Sequence, residues 1–287
     1  MDRAQLTLML DRTLEALQAR DPARLPVSPD VRYTENGQSL RLGKGLWATA
    51  TPGGIGARAV FAEPETDQVG FFGTARENGN PAVVAMRLKA KSGALAEMET
   101  VICRHHERIF DPAAMAKPRK AFEETIPPTE RCTREQLIAG GNAYFDGIER
   151  SDGAIIPVTE DCARIENGTQ TTRNTAVGGR PGFPLWGMPV AAQIGTGYYA
   201  YIEAIRDRRV PLVDAERGLV LMVVCFDHPG NVKSVTVKGQ GAIELPAFTQ
   251  KPSTALIAEI FLVRDGKIAG IEAVLDFFPY GMRTGWE

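Results

Sequence analysis

Along the first twenty residues, Leu6, Met9 or Leu10, Thr13, Leu14 and Leu17 recur at three- and four-residue steps, with charged residues between them. This spacing predicts an amphipathic helix ending near Arg20. The pattern then becomes extended through "DPARLPVSP" into a strand at "DVRYTEN". A Gly-rich stretch, "TPGGIGARAV", precedes three strand candidates: "QVGFFGTAR", "PAVVAMRLKA" and "ALAEMETVICRHH". "ENGNP" and "KSG" fall between them, where hairpin turns are expected. A second helix-then-strands series follows. Thr133 and Gln136 form a capping box. Leu137, Gly141, Tyr144, Phe145 and Ile148 share one helical face up to about Arg150. "YYAYIEAIRDRR" reads as a further helix, and strands are expected at "LVLMVVCF", "VKSVTVKG", "TALIAEIFLVR" and "KIAGIEAVLDFF".

The two series are copies of one another. "DVRYTENGQ" from Asp30 matches "DCARIENGT" from Asp161 at an offset of 131, which also places Leu14 on Phe145, Leu17 on Ile148 and Asp21 on Asp152. "FAEPETDQVGFF" from Phe61 matches "LVDAERGLVLMV" from Leu212 at an offset of 151. "AVVAMRLKAKSGALAEMETV" from Ala82 matches "ALIAEIFLVRDGKIAGIEAV" from Ala255 at an offset of 173. Constant order with a growing offset marks a duplicated unit whose second copy carries two insertions. The first, around "GFPLWGMP", is aromatic and rich in Pro and Gly; the second, around "NVKSVTVKGQGAIELPAFTQKP", is expected to add a hairpin. The expected division is a first domain at 1–108, a Pro-containing connector at 109–132 and a second domain at 133–287.

Length and composition fit this picture. With 287 residues, each copy can bury a core of its own. A net charge of −2 argues against nucleic acid or an anionic membrane recognised through bulk charge. The N-terminal stretch is too interrupted by charge for a signal peptide or membrane span, so a cytoplasmic location is expected. Cys103, Cys132, Cys162 and Cys225 are widely separated and read as idle or buried thiols. No metal site is expected from the histidines either. His105, His106 and His228 read as solvated surface residues. "TPGGIG" lacks the preceding apolar strand and following helix of a dinucleotide-binding loop.

Helix, short strand, then long antiparallel strands, with "ARDPARLPVSPDVRYTENG" at one end and "PYGMRTGW" at the other, resembles the nuclear transport factor 2-like superfamily. That superfamily includes the SnoaL-like polyketide cyclases, ketosteroid isomerase and scytalone dehydratase. The resemblance implies an α+β fold of two tandem cone-shaped domains, each a curved, mostly antiparallel sheet wrapped on N-terminal helices. It also implies a cavity in such a cone, and often proton transfer without a cofactor. Ketosteroid isomerase places a helix tyrosine, a first-strand carboxylate base and a later-strand protonated acid in that cavity. The matching residues in the second copy are Tyr144, Glu166 and Glu259; in the first they are Thr13, Glu35 and Met86. The first cone is thus expected to be degenerate and structural.

The residues themselves allow the same chemistry. Glu259 alternates with Ala255, Ile257, Phe261 and Val263, so a buried, neutral carboxyl is expected there, able with Tyr144 to donate to an oxyanion while Glu166 acts as base. Arg164, Trp186, Tyr198, Tyr199 and Asp276 are the expected substrate-binding residues. Competing readings stand beside these. Tyr144 can be a core tyrosine, Arg164 can neutralise Glu166, and the aromatic insertion can be either a lid or packing between the domains. Glu99 and Glu272 recur in both copies and are expected to be architectural, ion-paired between the sheets. The function expected is cofactor-independent isomerase, dehydratase or lyase chemistry on a small, largely apolar organic molecule, with a non-catalytic small-molecule-binding protein as the alternative. The partner expected is therefore a small ligand, with a homo-oligomer open.

Overall fold

A computed structural model describes residues 1–176 and 183–287. The first unit comprises α1 (Arg3–Gln18), β1 (Val27–Glu35), β2 (Gln38–Leu40), α2 (Leu46–Thr49), β3 (Gly56–Glu63), β4 (Gln68–Glu77), β5 (Asn80–Lys91) and β6 (Ala94–Cys103). After the connector helix α3 (Pro112–Met115), the second unit comprises α4 (Arg134–Arg150), β7 (Val158–Glu166), β8 (Thr169–Gln170), α5 (Val190–Ile194), β9 (Ala204–Asp214), β10 (Leu219–His228), β11 (Ser234–Val237), β12 (Gly241–Glu244), β13 (Ser253–Arg264) and β14 (Lys267–Phe278).

Each unit has one six-stranded sheet with the same order, β2-β1-β6-β5-β4-β3 and β8-β7-β14-β13-β10-β9. Only the first long strand runs parallel to its neighbour, β1 to β6 and β7 to β14. The chain is therefore two tandem α+β cones. Each long helix lies inside its curved sheet. Leu6, Leu10, Thr13, Ala16 and Leu17 of α1 are buried, as are Leu137, Tyr144, Phe145 and Ile148 of α4. Both helices open on a capping box, Asp2 with Gln5 and Thr133 with Gln136.

The continuous apolar runs of β10 and β13 have a physical reason: both faces of these strands are covered. Val220, Met222, Val224 and Phe226 point into the second cone, whereas Leu219, Leu221, Val223 and Cys225 join the core between the two sheets. On β13, Ile257 and Phe261 face the cone, and Leu256, Ala258, Ile260 and Leu262 face the other sheet. Ala59, Phe61, Phe72, Val83, Ala85 and Val101 supply the opposite side of that seam. Met115 and Phe122 of the connector are buried in the same core.

The polar contacts across the seam come in pairs that follow the repeat. Arg58 binds Glu272 at 2.7 Å, and Arg209, offset from Arg58 by 151, binds Glu99. Arg3 binds Asp214 at 2.7 Å, while Arg134 binds Glu63. The Ala62 amide donates to Asp214 at 3.0 Å and the Val213 amide to Glu63 at 2.8 Å. Glu99 and Glu272 thus hold the sheets together, as their recurrence suggests.

The "ENG" repeat has an equally local cause. Asn36 and Asn167 adopt positive φ, and each carboxamide exchanges two hydrogen bonds with one residue of the last strand, Ile102 or Leu275. Gly37 and Gly168 follow at φ +77 and +86, where a side chain would meet the backbone oxygens of Arg283 and Asp111.

Two expectations are corrected, and one alternative left open is decided. "YYAYIEAIRDRR" is a 3₁₀ turn at Tyr198–Tyr201 followed by β9, because pairing with β10 overrides the helical propensity of its Ala, Glu and Arg residues. Its register is interrupted near Asp207, which has φ 53. "ARAVFAE", read only as the end of a Gly-rich stretch, is the edge strand β3. The described part of the aromatic insertion does not belong to the seam: Leu185 packs on Val235, Val237 and Leu245 of the hairpin region, so the two insertions meet on the second cone. Residues 177–182 of that insertion, and the Phe183 side chain, lie outside the described residues.

Candidate functional site

The second cone encloses a cavity of about 120 Å³. β7 brings Arg164 and Glu166 to its wall, on the same face of the strand. The 3₁₀ turn after α5 adds Tyr198, Tyr199 and Tyr201, and the insertion adds Trp186. Phe226 and His228 alternate along β10, as Ile257 does on β13 and Leu275 and Phe277 do on β14. His106 and Phe248 close the outer side.

Arg164 is only 2% exposed, and its position is set by four side chains. Nε donates to Thr171 at 3.1 Å and Nη1 to the Tyr144 hydroxyl at 3.3 Å. Nη2 donates to both Gln193 and the Tyr199 hydroxyl at 2.5 Å. Glu166 lies 3.8 Å from Nε, at an ion-pair distance outside hydrogen-bond range, with its side chain 24% exposed. Thus the cation stands beside Glu166 while spending its hydrogen bonds elsewhere.

Tyr144 and Glu259 form a second layer behind Arg164. They are 2% and 3% exposed and do not line the cavity. Burial, reinforced by the charge of Glu166, pushes the Glu259 carboxyl up to about 8; Arg164 and a hydrogen bond with Tyr144 oppose this. Burial likewise raises the Tyr144 hydroxyl well above its ordinary value, with Glu259 adding to the rise. The expected trio is therefore brought together, but only Glu166 reaches the cavity. Among the expected binding residues, Arg164, Trp186, Tyr198 and Tyr199 line it. Asp276 does not. On β14 it points away from Leu275 and Phe277, into an outer groove with His105 and Lys251, where burial raises its carboxyl.

Two residues were misjudged from the sequence. His228 is buried, 4% exposed, and His106 is half-buried; both line the cavity. The His106 Nδ1 accepts from the Arg108 and Ile109 amides, and burial lowers its basicity. One signal was available in the repeat: His228 falls at the end of an apolar strand, two residues after Phe226 and on the same face.

In the first cone the corresponding space is filled by side chains. Trp47 of α2, fully buried, packs there with Leu46 and Tyr33. Glu35 accepts from the Tyr33 hydroxyl, the Leu46 amide and Arg104. A larger hollow, about 260 Å³, runs along β3 at the seam, but two of its arginines, Arg3 and Arg58, are already paired with Asp214 and Glu272. Its size does not make it the better site. Among the described residues no cluster of three or more His, Cys, Asp or Glu suits a metal ion, and no helix is long and apolar enough to cross a membrane.

A family model described as a domain of unknown function, DUF8021, matches residues 130–275. No curated protein matches the chain in sequence. Solved structures with a related fold include a putative polyketide cyclase from Silicibacter sp. TM1040, at 14% identity and TM-score 0.32, covering 50% of this chain and 90% of that one. An epoxide hydrolase of the LEH-like type from M. tuberculosis is similar at 12% identity and TM-score 0.27, covering 52% and 86%. An NTF2-like protein of unknown function from Burkholderia xenovorans LB400 is similar at 16% identity and TM-score 0.31, covering 36% and 87%.

Proposed function

This chain belongs to the DUF8021 family, and on the geometry of its second cone we propose that it moves a proton on a small aromatic or otherwise apolar carbonyl compound, without a cofactor. The observation that carries this reading is the position of Glu166. It is a carboxylate on an aromatic cavity wall, beside a buried guanidinium whose other contacts hold it still.

In the proposed reaction, Glu166 takes a proton from the carbon next to the carbonyl. The C–H electron pair forms a carbon–carbon double bond as the carbonyl π pair moves onto oxygen, where negative charge builds. An arginine has five N–H donors, and four of those on Arg164 are taken by Thr171, Tyr144, Gln193 and Tyr199. The remaining Nη1 hydrogen is offered to that oxygen. Glu259 and Tyr144 act one layer back, on the orientation and field of Arg164. Returning the proton to another carbon completes an isomerisation; loss of a group from the β-carbon completes an elimination, the lyase or dehydratase outcome.

The size of the cavity sets the substrate class. A cavity of roughly 150 Å³ accommodates benzene, so at about 120 Å³ this one takes no more than a single ring, with any substituent reaching its open side. Small-molecule binding without chemistry is the second reading, and one observation favours it: Arg164 stands 3.8 Å from the carboxylate that must act as base.

Acetophenone in D₂O separates the two readings. NMR should show enzyme-accelerated exchange of its methyl protons, reduced by about 10²–10⁴ in Glu166→Gln while ketone binding persists. Saturable binding with no exchange above the buffer rate would establish the binding-protein reading instead.

A further inference from the structure

His228 holds a buried nitrogen, Nδ1, without a hydrogen-bond partner, although the Phe226 carbonyl lies close enough to the ring to raise its basicity. Among the described residues its Nδ1 is one of three buried side-chain nitrogens or oxygens without a hydrogen-bond partner. The other two are the Nε atoms of Arg209 and Arg217, whose guanidinia bond through other nitrogens. His228 differs from both because its ring stands on the wall of the candidate site. It stacks on Tyr201 at 5.5 Å and 28° and meets Phe277 at 5.6 Å. A buried polar atom without a partner is destabilising, and a turn of this wall ring would offer the covered Nδ1 to whatever occupies the cavity.

The internal repeat shows what these positions do when they face no ligand. Glu166, His228 and Phe277 correspond, at offsets of 131, 151 and 173, to Glu35, Glu77 and Arg104. In the first cone Arg104 bridges the two carboxylates, at 2.7 Å to Glu35 and 2.6 Å to Glu77. Both carboxylates are thereby paired, with Arg104 itself partly exposed. In the second cone the bridging cation is replaced by Phe277, and the second carboxylate by an imidazole that burial holds uncharged, its basicity lowered to about 4. Glu166 and His228 are thus left on two sides of a space that a single side chain spans in the other copy.

We infer that His228 is a ligand-anchoring residue and that the cavity takes a single-ring aromatic carbonyl compound bearing a hydroxyl group, which donates a hydrogen bond to the His228 imidazole. The inference rests on the proposed use of this cavity and adds the second polar group of the ligand. One end of the ring presents its carbonyl to Arg164 and Glu166; the hydroxyl lies at the other end of the aromatic wall formed by Tyr199, Tyr201 and His228. Ring centroids along that wall are 6.4 Å and 5.5 Å apart, so Tyr199, Tyr201 and His228 form one continuous aromatic surface.

Binding is measured by calorimetry with acetophenone, 3-hydroxyacetophenone, 4-hydroxyacetophenone and 4-methoxyacetophenone on the intact chain. A hydroxy isomer should bind roughly three- to tenfold tighter than acetophenone, and the methoxy compound, which cannot donate, should show no such gain. In His228→Phe the hydroxyl preference, read as the ratio of hydroxyacetophenone to acetophenone affinity, should vanish. The same variant should have a higher Tm, because it removes an unsatisfied nitrogen. Equal binding of all four ketones to the wild type overturns the role of His228 without any variant, and leaves the Glu166 reading intact if methyl exchange persists. A hydroxyl preference that survives in His228→Phe also overturns it. Failure of all four to bind overturns both this inference and the use of the cavity on which it rests.

Discussion

Glu259 occupies the position that is Met86 in the first cone, and the exchange of a thioether for a carboxyl changes what the cone can tolerate. Met86 simply joins the apolar core. Glu259 is buried among apolar side chains, with Glu166 adding to its rise and Arg164 and Tyr144 opposing it. The sign of the resulting pH effect follows from linkage. A carboxyl at about 8 in the folded state holds its proton where the unfolded chain, near 4.5, has lost it. The folded state then binds more protons across that window, so this group lowers stability as pH rises from about 4.5 toward 8. Glu259→Gln keeps a partner for Tyr144 and carries no charge. Urea titrations at several pH values should show a flatter decline between pH 5 and 8 in this variant than in the wild type; identical slopes would mean that Glu259 ionises in the fold as readily as in the open chain. The three buried thiols behave differently. Burial pushes Cys103 and Cys162 up to about 12 and Cys225 to about 11, which leaves them inert.

Short elements decide which cone is open. α2 is a single turn, but it delivers Trp47 to the interior of the first cone, where its indole donates toward the Met98 sulfur at 3.3 Å. The second copy has no equivalent plug among its described elements; its two insertions are laid over the outside instead, with Leu185 against the β11–β12 hairpin. Trp47→Ala should destabilise the chain by about 3–5 kcal/mol, measured by urea unfolding. It should also let the first cone admit a small apolar probe such as benzene, read as a ligand-dependent rise in Tm of this variant beyond any seen in the wild type. A cost well under 1 kcal/mol would show that the cone collapses around the loss. At this scale the sequence was partly readable. The faces of α1 and α4 followed from 3.6-residue spacing, and the hairpins from Asn78-Gly79 and Ser92-Gly93, whose positive φ matches their turns. β9 was not readable, since Ala, Glu and Arg favour a helix locally and only the edge of β10 makes them extended.

The whole molecule is a pseudo-two-fold pair of sheets built within one chain. Contacts at the seam exchange partners between the copies: Arg58 with Glu272, Arg209 with Glu99, Arg3 with Asp214, Arg134 with Glu63. Glu272 is fully buried and accepts from both Arg58 and Arg119, the latter at 2.8 Å from the connector. Removing it strands two guanidinia in the seam. Glu272→Ala should therefore cost about 3–5 kcal/mol, and a double-mutant cycle with Arg58 should return a coupling above about 0.5 kcal/mol. Additive losses would assign the stability of the seam to its apolar core alone.

The amino-acid sequence by itself determined the duplication, the two α+β cones, the inward faces of their long helices, and the recurrence that marks Glu99 and Glu272 as structural. Each is set by spacing along the chain, because helix and strand periods and hairpin turns are local. Its resemblance to a known superfamily, and not its spacing, singled out Tyr144, Glu166 and Glu259 as a group. Only the tertiary structure decided that Glu166 reaches the cavity while Tyr144 and Glu259 stand behind Arg164, that Asp276 turns outward, and that His106 and His228 turn in. Those outcomes depend on which strand lies beside which and on how sharply each sheet curves, so that a residue's depth in the cone is fixed by partners more than a hundred positions away.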